Sequence, residues 1–340
     1  INLCEDRYRF LVAFCAAALR GQTVLLPPAR TPAAIEEVRR QYPDSYCIAD
    51  VAPVPAPPRL HVLPETLPGC GGPVPEVDPD ALAMIGFTSG STGTPKANPK
   101  TWRSLRISTA QNLAALRHLW PLGEVLPADV LPVVATVPPQ HMYGMELSVL
   151  LPLFAPVAVH RGRPFFPDDI ACALRDAAAP VLLVTTPVHL RALVESGVVL
   201  PALAGIVTAT APLSQALAAA AEQRFGCEVR EMFGATEICI VAHRRTACED
   251  AWTAYPGVRL HPQPDGTLVE AELICRPVGL RPVHDVDIVE AKPAALNLRP
   301  GGILPGGAAP AAQQTVQIAI KHKVPAEVAA HKAAVKAHLI

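Results

Sequence analysis

A stretch rich in hydroxyl groups, FTSGSTGTPK, runs from Phe87 to Lys96 and could hold a phosphate group. Gly90 and Gly93 allow the backbone to turn with positive φ, so successive N–H groups can approach an anion. Lys96 adds a positive charge that can follow a pyrophosphate. The hydroxyl groups that can donate hydrogen bonds here belong to Thr88, Ser89, Ser91, Thr92 and Thr94. These residue types favour a cradle for phosphate oxygens.

A flexible surface linker and a nucleophilic serine site are the competing interpretations of this loop. A linker rarely follows a buried strand directly, whereas the loop follows ALAMIG, and α/β sheets bind ligands where their strands end. The hydrolase pattern G-x-S-x-G is absent around Ser89 and Ser91. A Ser-Ser-Lys amidase needs a second lysine upstream, and residues 1–95 contain none. A Walker A loop is also excluded, because Lys96 follows Gly93 by three positions and precedes Ala97.

Apolar strands alternate with helices on both sides of this loop. The predicted strands are TVLLPP, YCIAD, ALAMIG, LPVVATV, PVAVH, PVLLVTT, LAGIVTAT and EVREMFG. Thr31 can cap the helix predicted in TPAAIEEVRRQYP, and a long helix is predicted over Thr101–Trp120. Residues 52–79 are rich in Pro and Gly and are predicted to form a long connection without periodicity. This alternation predicts an α/β fold whose parallel sheets are covered on both faces.

Composition narrows the class of protein. The 340 residues are 50% hydrophobic, with a formal net charge of -1, which gives no basic excess for binding nucleic acid. Nine cysteines without a CxxC pair argue against a disulfide framework or a zinc site and favour a cytoplasmic location. The most apolar region, Val125–His160, is interrupted by Asp129, Glu146 and prolines, so we expect no membrane span. We find no signal peptide at the start of the sequence. Because the sequence begins without Met and within a predicted element, we expect that Ile1 is not the natural start.

Four motifs together resemble those of the adenylate-forming superfamily of acyl- and aryl-CoA synthetases, peptide-synthetase adenylation domains and luciferases. FTSGSTGTPKA is similar to its phosphate-binding signature, and VPPQHMYGM, TATAPLSQAL and EMFGATE follow in family order. The resemblance covers roughly residues 1–290. The opening segment and PKTW are most similar to bacterial aryl or acyl-carrier-protein ligases of the aryl-polyene and xanthomonadin type. The resemblance implies a large domain with two parallel-type sheets, layered with helices, and a small β region.

The resemblance also implies a set of nucleotide-binding residues. The loop would hold the β- and γ-phosphates, Thr236 would contact the α-phosphate and Glu237 would hold Mg²⁺. Phe233 would stack on adenine, and Asp287 would bind the ribose. Further contacts to ATP or AMP are implied for Thr208, Ala209, Thr210, Ala211, Pro212, Glu231, Met232, Gly234 and Ala235. A solvated surface charge is the alternative for Glu237, and core packing is the alternative for Phe233.

An acyl pocket and a catalytic set follow from the same resemblance. The pocket residues are His141, Tyr143, Gly144, Thr208 and Ala235, and the catalytic residues are Lys96, His141, Thr236 and Glu237. A structural role is the alternative for His141. Relatives that activate amino acids carry an aspartate in the segment that reads QHMYGM here, and a buried unpaired ammonium would be costly. The expected acid is therefore an aryl or acyl acid.

The C-terminal part departs from the family pattern. Residues 293–340 contain neither the Arg-Gly-x-Lys hinge nor the late Pro-x-x-x-Gly-Lys of the family's lid domain. The four late lysines, which have no matching context, are Lys321, Lys323, Lys332 and Lys336. We interpret residues 1–290 as the adenylate-forming domain and residues 291–340 as a linker and an incomplete lid. A protein that ends in this way is expected to bind nucleotide but to adenylate slowly, because a lid lysine stabilises charge in the transition state.

The sequence thus predicts an enzyme that activates a carboxylic acid with ATP and Mg²⁺ and releases pyrophosphate. The acyl group would pass to a thiol of CoA or of phosphopantetheine on an acyl carrier protein. The alternative is a nucleotide-binding member of the fold that has lost catalysis and serves as an interaction or sensing module.

Overall fold

The helices of the protein pack on two main β-sheets. A computed structural model describes residues 1–67, 69, 76–89, 95–119, 130–177, 180–263 and 266–271, with the backbone of three short later strands. The helices are α1 Arg7–Leu19, α2 Pro32–Gln41, α3 Trp102–Leu116, α4 Met142–Met145, α5 Leu151–Phe154, α6 Pro167–Asp176, α7 Pro187–Ser196 and α8 Gln215–Phe225. A 3-10 turn, Arg117–Leu119, extends α3, and a π-helical turn, Glu146–Leu150, joins α4 to α5.

Seventeen strands lie in the described parts of the chain. The first nine are β1 Val24–Leu26, β2 Cys47–Ala49, β3 Leu60–Val62, β4 Leu82–Thr88, β5 Lys96–Thr101, β6 Leu131–Ala135, β7 Val157–Val159, β8 Val181–Thr185 and β9 Leu203–Thr208. The others are β10 Val229–Ala235, β11 Cys239–Arg244, β12 Ala251–Ala254, β13 Arg259–Gln263, β14 Gly266–Glu270, β15 Ile288–Glu290, β16 Asn297–Leu298 and β17 Ala319–Lys321.

The larger sheet has eight strands in the order β16-β12-β11-β10-β9-β8-β6-β7. Strands β7, β6, β8, β9 and β10 are parallel, and β11 and β12 extend them antiparallel. A three-stranded sheet has the order β1-β4-β5, with β1 parallel and β5 antiparallel to β4. Three two-stranded pairs, β2-β3, β13-β14 and β15-β17, complete the sheets of the described residues.

Alternating side chains place hydrophobic cores on both faces of each main sheet. In β8, Leu182 and Val184 face the core that is shared with α1, α3 and the smaller sheet. Leu183, between them, faces a second core formed with α6, α7 and α8. In β1, Leu25 contributes to a third core, against α2. Because side chains alternate across a strand, two covered faces require the continuous apolar runs that these strands show.

The predicted α/β fold, with helices layered on its sheets, is confirmed. Thr31 caps α2 as expected, since its side chain accepts a hydrogen bond from the Ala34 amide at 3.3 Å. The strands outside the prediction include β5, β11 and β12. The connection over residues 52–79 also contains a strand, β3, which pairs with β2. Strands β3 and β12 are short and β5 is rich in polar residues, so apolar periodicity does not reveal these three.

Among the described residues, no helix is both long enough and apolar enough to cross a membrane.

Candidate active site

The strands of the larger sheet end in a row of threonines. Thr136 follows β6, Thr185 ends β8 and Thr208 ends β9. The hydroxyls of Thr136 and Thr185 lie 3.0 Å apart, and Thr185 pairs with Thr208 across the sheet. The Thr208 hydroxyl is buried without a hydrogen-bond partner among the described residues. A buried hydroxyl of this kind is costly unless a ligand or water satisfies it, so this edge fits a ligand site.

The turn after β9, predicted to lie against adenine, is anchored by Glu231. Thr210 has a φ of +78°, and the Leu213 amide donates to the Glu231 carboxylate at 2.9 Å. The other carboxylate oxygen accepts from Arg244 at 2.8 Å and from the Thr246 hydroxyl at 2.7 Å. Glu231 is only 3% exposed. Its carboxylate is therefore occupied by protein groups and supports the turn.

Strand β10 leads into a tight turn that presents Thr236 and Glu237. The register between β10 and β11 shifts at Gly234, where a Cβ would lie 2.7 Å from the Ile240 Cα. Cys239 has a φ of +61°, which is uncommon for a residue other than glycine. The carboxylate of Glu237 has no hydrogen-bond or ion-pair partner in the part of the chain that the structure describes. The turn thus offers a carboxylate that remains available to a ligand.

Other residues of this motif serve the core. Met232 is buried, and the half-buried ring of Phe233 lies 5.4 Å from the ring of Trp252. Ala235 packs at the edge of the main core. Stacking of Phe233 on adenine stays a prediction, since one side of its ring is already in contact with Trp252.

The hairpin β4-β5 meets this turn from the smaller sheet. A Cβ on Gly86 would lie 2.9 Å from Thr236 Cγ2, so glycine permits the close approach. Thr88 pairs with Lys96, and Asn98 donates to the Lys96 carbonyl at 3.1 Å. Residues 90–94 of the phosphate-loop prediction lie outside the described residues, as does Asp287. The strand that leads into the loop therefore approaches Thr236 at Gly86.

His141 lies at the start of α4, where its Nδ1 accepts a hydrogen bond from the Tyr143 amide at 3.3 Å. Desolvation by the surrounding protein lowers the pKa of His141, although the residue remains accessible to solvent. The imidazole is therefore neutral at pH 7, and with Nδ1 as the acceptor its proton is on Nε2. Nε2–H can donate to a ligand oxygen.

His141 and Thr236 line one cavity of about 270 Å³. Its other lining residues are Leu26, Pro27, Pro28, Ala29, Arg30, Met84, Gly86, Phe87, Pro138, Gln140, Met142 and Arg163. Tyr143 and Gly144 of the predicted acyl pocket are placed differently: the Tyr143 hydroxyl donates to the Val207 carbonyl at 2.9 Å, inside the core. The structure thus brings together residues from three separate motifs, Phe87, His141 and Thr236. The described lining residues include two arginines and no acidic side chain.

The sequence prediction missed two buried charged residues, Lys100 and Glu146, that contact the Glu237 turn. Lys100 Nζ donates to the Glu237 carbonyl at 2.6 Å, and the Glu146 carboxylate accepts from the Ile240 amide at 3.2 Å. Lys100 falls within PKTW, and Glu146 interrupts an apolar segment. A charged residue in an apolar run was the available signal for Glu146.

Glu237 fits the role of a magnesium ligand in a site where a bound phosphate supplies further oxygen ligands. In the described residues there is no cluster of three or more His, Cys, Asp or Glu able to hold a metal by itself. Mg²⁺ is commonly bound by one or two carboxylates together with substrate phosphates and water. A single available carboxylate beside the phosphate-loop ends agrees with that mode of binding.

Comparison with known proteins identifies the family. Residues 5–270 match the family described as AMP-binding enzyme, and the chain belongs to this family. A 4-coumarate–CoA ligase of Rhodobacter capsulatus is 35% identical over 164 residues, covering 46% of this chain and 38% of the relative. A sulfoacetate–CoA ligase of Cupriavidus necator is 31% identical over 134 residues, covering 39% of this chain and 22% of the relative. The chain thus spans well under half the length of these curated relatives.

Solved structures share the fold at low sequence identity. A malonyl-CoA ligase complex with methylmalonyl-CoA and AMP has a TM-score of 0.61 and 21% identity, covering 80% of this chain and 62% of that one. An o-succinylbenzoate CoA synthetase from Bacillus subtilis, in complex with an acyl-adenylate intermediate, has a TM-score of 0.63 and 16% identity, covering 80% and 59%. The adenylate-forming fold predicted from the motifs is confirmed.

The start of β10 is held by Arg230, which is 9% exposed and bonds to Glu228 at 2.8 Å and to His243 Nδ1 at 3.0 Å. Burial and the Arg230 charge lower the pKa of His243 from 6.5 to about 4. Between pH 6.5 and about 4, the unfolded chain therefore binds a proton at His243 that the folded protein does not bind.

We expect the free energy of unfolding to decrease as the pH falls from 6.5 toward 4, and to decrease less in His243→Gln. Urea denaturation of both proteins across this range measures the difference. Parallel curves for the two proteins would contradict the assigned pKa.

Proposed function

We propose that this protein activates a carboxylic acid with ATP, forming an acyl-adenylate and pyrophosphate. The acyl group then passes to a thiol of CoA or of a phosphopantetheine group. The observation that supports this best is that His141 and Thr236 line one cavity in a chain of the AMP-binding family, with Glu237 next to Thr236 in the same turn. The activities of its relatives, a 4-coumarate–CoA ligase and a sulfoacetate–CoA ligase, agree with the proposal.

Adenylation requires in-line displacement at the α-phosphate. An oxygen of the acid attacks the α-phosphorus, the bond to the bridging oxygen breaks, and that oxygen leaves with the electron pair as pyrophosphate. Nε2–H of His141 orients the attacking carboxylate, and the Thr236 hydroxyl donates to the α-phosphate. Lys96 and the loop over residues 88–94 hold the outer phosphates, and the turn 208–212 contacts adenine. Asp287 is proposed for the ribose.

Glu237 would hold Mg²⁺, which when bound neutralises charge on the phosphate oxygens. The chain's own contribution is to place this carboxylate at a turn beside Thr236, without a competing partner among the residues that the structure describes. We therefore assign Glu237 an electrostatic role and no packing role.

The chemistry of the cavity favours an acid without an ammonium group. Its described lining contains Arg30, Arg163 and neutral His141 but no carboxylate. An amino acid would leave its ammonium unpaired there, which costs several kcal/mol. Aryl and acyl acids meet no such penalty. The resemblance of the opening and of PKTW supports an aryl or acyl-carrier-protein ligase, with an acyl carrier protein as a possible acceptor and residues 291–340 as part of a lid.

Acid-dependent exchange between labelled pyrophosphate and ATP tests the proposal. We expect exchange with hydroxybenzoates, cinnamates or medium-chain acids and a lower kcat/KM with every proteinogenic amino acid. An amino acid as the best substrate would refute the substrate class. Nucleotide binding without exchange for any acid would favour the alternative of an interaction or sensing module.

Glu231→Ala is expected to raise the KM for ATP more than it changes kcat, because the adenine turn loses the carboxylate that holds the Leu213 amide. Removing one partner of a buried ion pair also destabilises a protein by about 3–5 kcal/mol. Steady-state kinetics below the unfolding transition separates these effects. An unchanged KM for ATP in the folded variant would show that Glu231 does not position this turn.

A further inference from the structure

Two oppositely charged side chains reach the Glu237 turn from different elements. Lys100 lies on β5 and is 4% exposed, and Glu146 begins the π-helical turn and is 1% exposed. Lys100 donates to the carbonyl oxygen of Glu237 at 2.6 Å. Glu146 accepts from the amide of Ile240 at 3.2 Å. Both charges therefore act on the backbone of the same turn, one at each end.

The surroundings of Glu146 fix its role as an acceptor. The same carboxylate oxygen accepts from the Ser108 hydroxyl and from Asn112 Nδ2, the latter at 3.1 Å. Asn112 is held in turn by the Tyr255 hydroxyl, which donates to its Oδ1 at 2.8 Å. Burial raises the pKa of Glu146, and its three donors and the Lys100 charge offset only part of that rise. The Ser108, Asn112 and Ile240 groups all donate to the same oxygen, so this oxygen acts as an acceptor.

The turn needs external support because its backbone is tightly constrained. Cys239 adopts a left-handed conformation, and Gly234 approaches the Cys239 carbonyl too closely for any side chain. Such conformations persist where the surrounding structure determines them, and they are frequent at ligand sites. Lys100 and Glu146 supply that support from both sides.

Core packing alone does not explain a charged pair at these positions. Lysine and glutamate are rarely fully buried unless they are paired, and apolar residues of similar volume often stabilise a core equally well. Lys100 lies opposite Met84 in the β4-β5 hairpin. Asn98 is two residues before Lys100, on the same face of β5, and lies opposite Gly86. Gly86 is the residue that Thr236 contacts. The charge of Lys100 is therefore located where the hairpin meets the proposed phosphate-binding turn.

We propose that Lys100 and Glu146 are positioning residues that clamp the backbone between Glu237 and Ile240, so that Thr236 and Glu237 face the metal-bound nucleotide. The proposal rests on the proposed function of this site. It assigns a role to two residues that touch neither the nucleotide nor the acid. By holding the turn in place, they determine the affinity for Mg²⁺-nucleotide, and they have no effect on recognition of the acid at His141.

The test compares Lys100→Met, Glu146→Gln and the double variant with the unchanged protein. Loss of an outer residue that orients a metal ligand typically weakens metal affinity about 10- to 100-fold. We expect an increase of this order in the Mg²⁺ concentration that half-saturates ATP binding, measured by calorimetry, for each single variant. Affinity for the acid should stay within about twofold, since no acid contact changes. The double variant should lose less than the product of the two single effects, because the residues act on one turn.

Leu193→Ala is the matched control for general destabilisation. Leu193 is fully buried on α7, in the core on the opposite face of the larger sheet. Lys100→Arg keeps the charge and a donor and should recover part of the Mg²⁺ affinity. A Mg²⁺ dependence in both single variants equal to that of Leu193→Ala would overturn the clamp, as would fully multiplicative effects in the double variant. If the unchanged protein itself does not bind Mg²⁺-ATP, the proposed function fails instead.

Discussion

Glu237→Gln is expected to reduce acid-dependent pyrophosphate–ATP exchange by roughly 100- to 1,000-fold, the usual effect of removing one electrostatic contact to a transition state. The substitution preserves shape and removes the charge that would hold Mg²⁺. Because the carboxylate has no protein partner among the described residues, thermal unfolding should hardly change. Exchange rates measured over a Mg²⁺ titration give the effect.

Glu195→Gln provides the control for this result, since Glu195 is an exposed residue on α7. It should exchange as the unchanged protein does. Equal rates of pyrophosphate–ATP exchange in Glu237→Gln and Glu195→Gln would show that Glu237 does not take part in the reaction.

Gly144→Ala is expected to destabilise the protein strongly and to displace His141. A Cβ at residue 144 would lie 2.9 Å from the carbonyl carbon of Pro138 and closer still to its oxygen. The contact is with backbone, so a rotamer change cannot relieve it, and overpacking of this kind costs typically about 1–3 kcal/mol or more. Urea denaturation measures the loss, and the KM for the acid reports the displacement.

The control for this variant is Gly69→Ala, because no atom of the described residues lies within 4 Å of a Cβ at that position. We expect it to be neutral. A Gly144→Ala protein with unchanged stability and an unchanged KM for the acid would show that the 138–144 turn is not constrained as the structure indicates.

The sequence predicts the parallel part of the fold well because those strands are apolar on both faces. Strands β6, β8 and β9 read as continuous apolar runs, and the chemical motifs occur where such runs end. The same physical rule explains why the prediction omits a strand such as β5. Strand β5, KANPKT, is polar and contains Pro99, so its pairing with β4 is determined by the tertiary structure and not by its own composition.

The residues that line the candidate site were predictable from the sequence. The residues that hold the Glu237 turn in place were less predictable. His141 and Thr236 were named from separate motifs, and the structure places both beside one cavity. Lys100 carried no such signal, because a lysine in a sequence is ordinarily a solvated surface charge, and the signal for Glu146 was its position in an apolar run. Tyr143 was assigned to the pocket, whereas its hydroxyl is bonded in the core. Only the packing of β5 and of the π-helical turn against β10 and β11 reveals these roles.

The fate of labelled oxygen tests the central claim most directly. The acid is supplied with ¹⁸O in its carboxylate, together with ATP, Mg²⁺ and a thiol acceptor, and the phosphorus products are examined by mass spectrometry. Because the position of the label is measured and not the rate, the experiment works even with slow turnover. Attack of the carboxylate on the α-phosphorus, followed by thiol attack on the carbonyl carbon, predicts one ¹⁸O in AMP and none in pyrophosphate. Label in inorganic phosphate accompanied by ADP, or AMP free of label, would contradict activation through an acyl-adenylate.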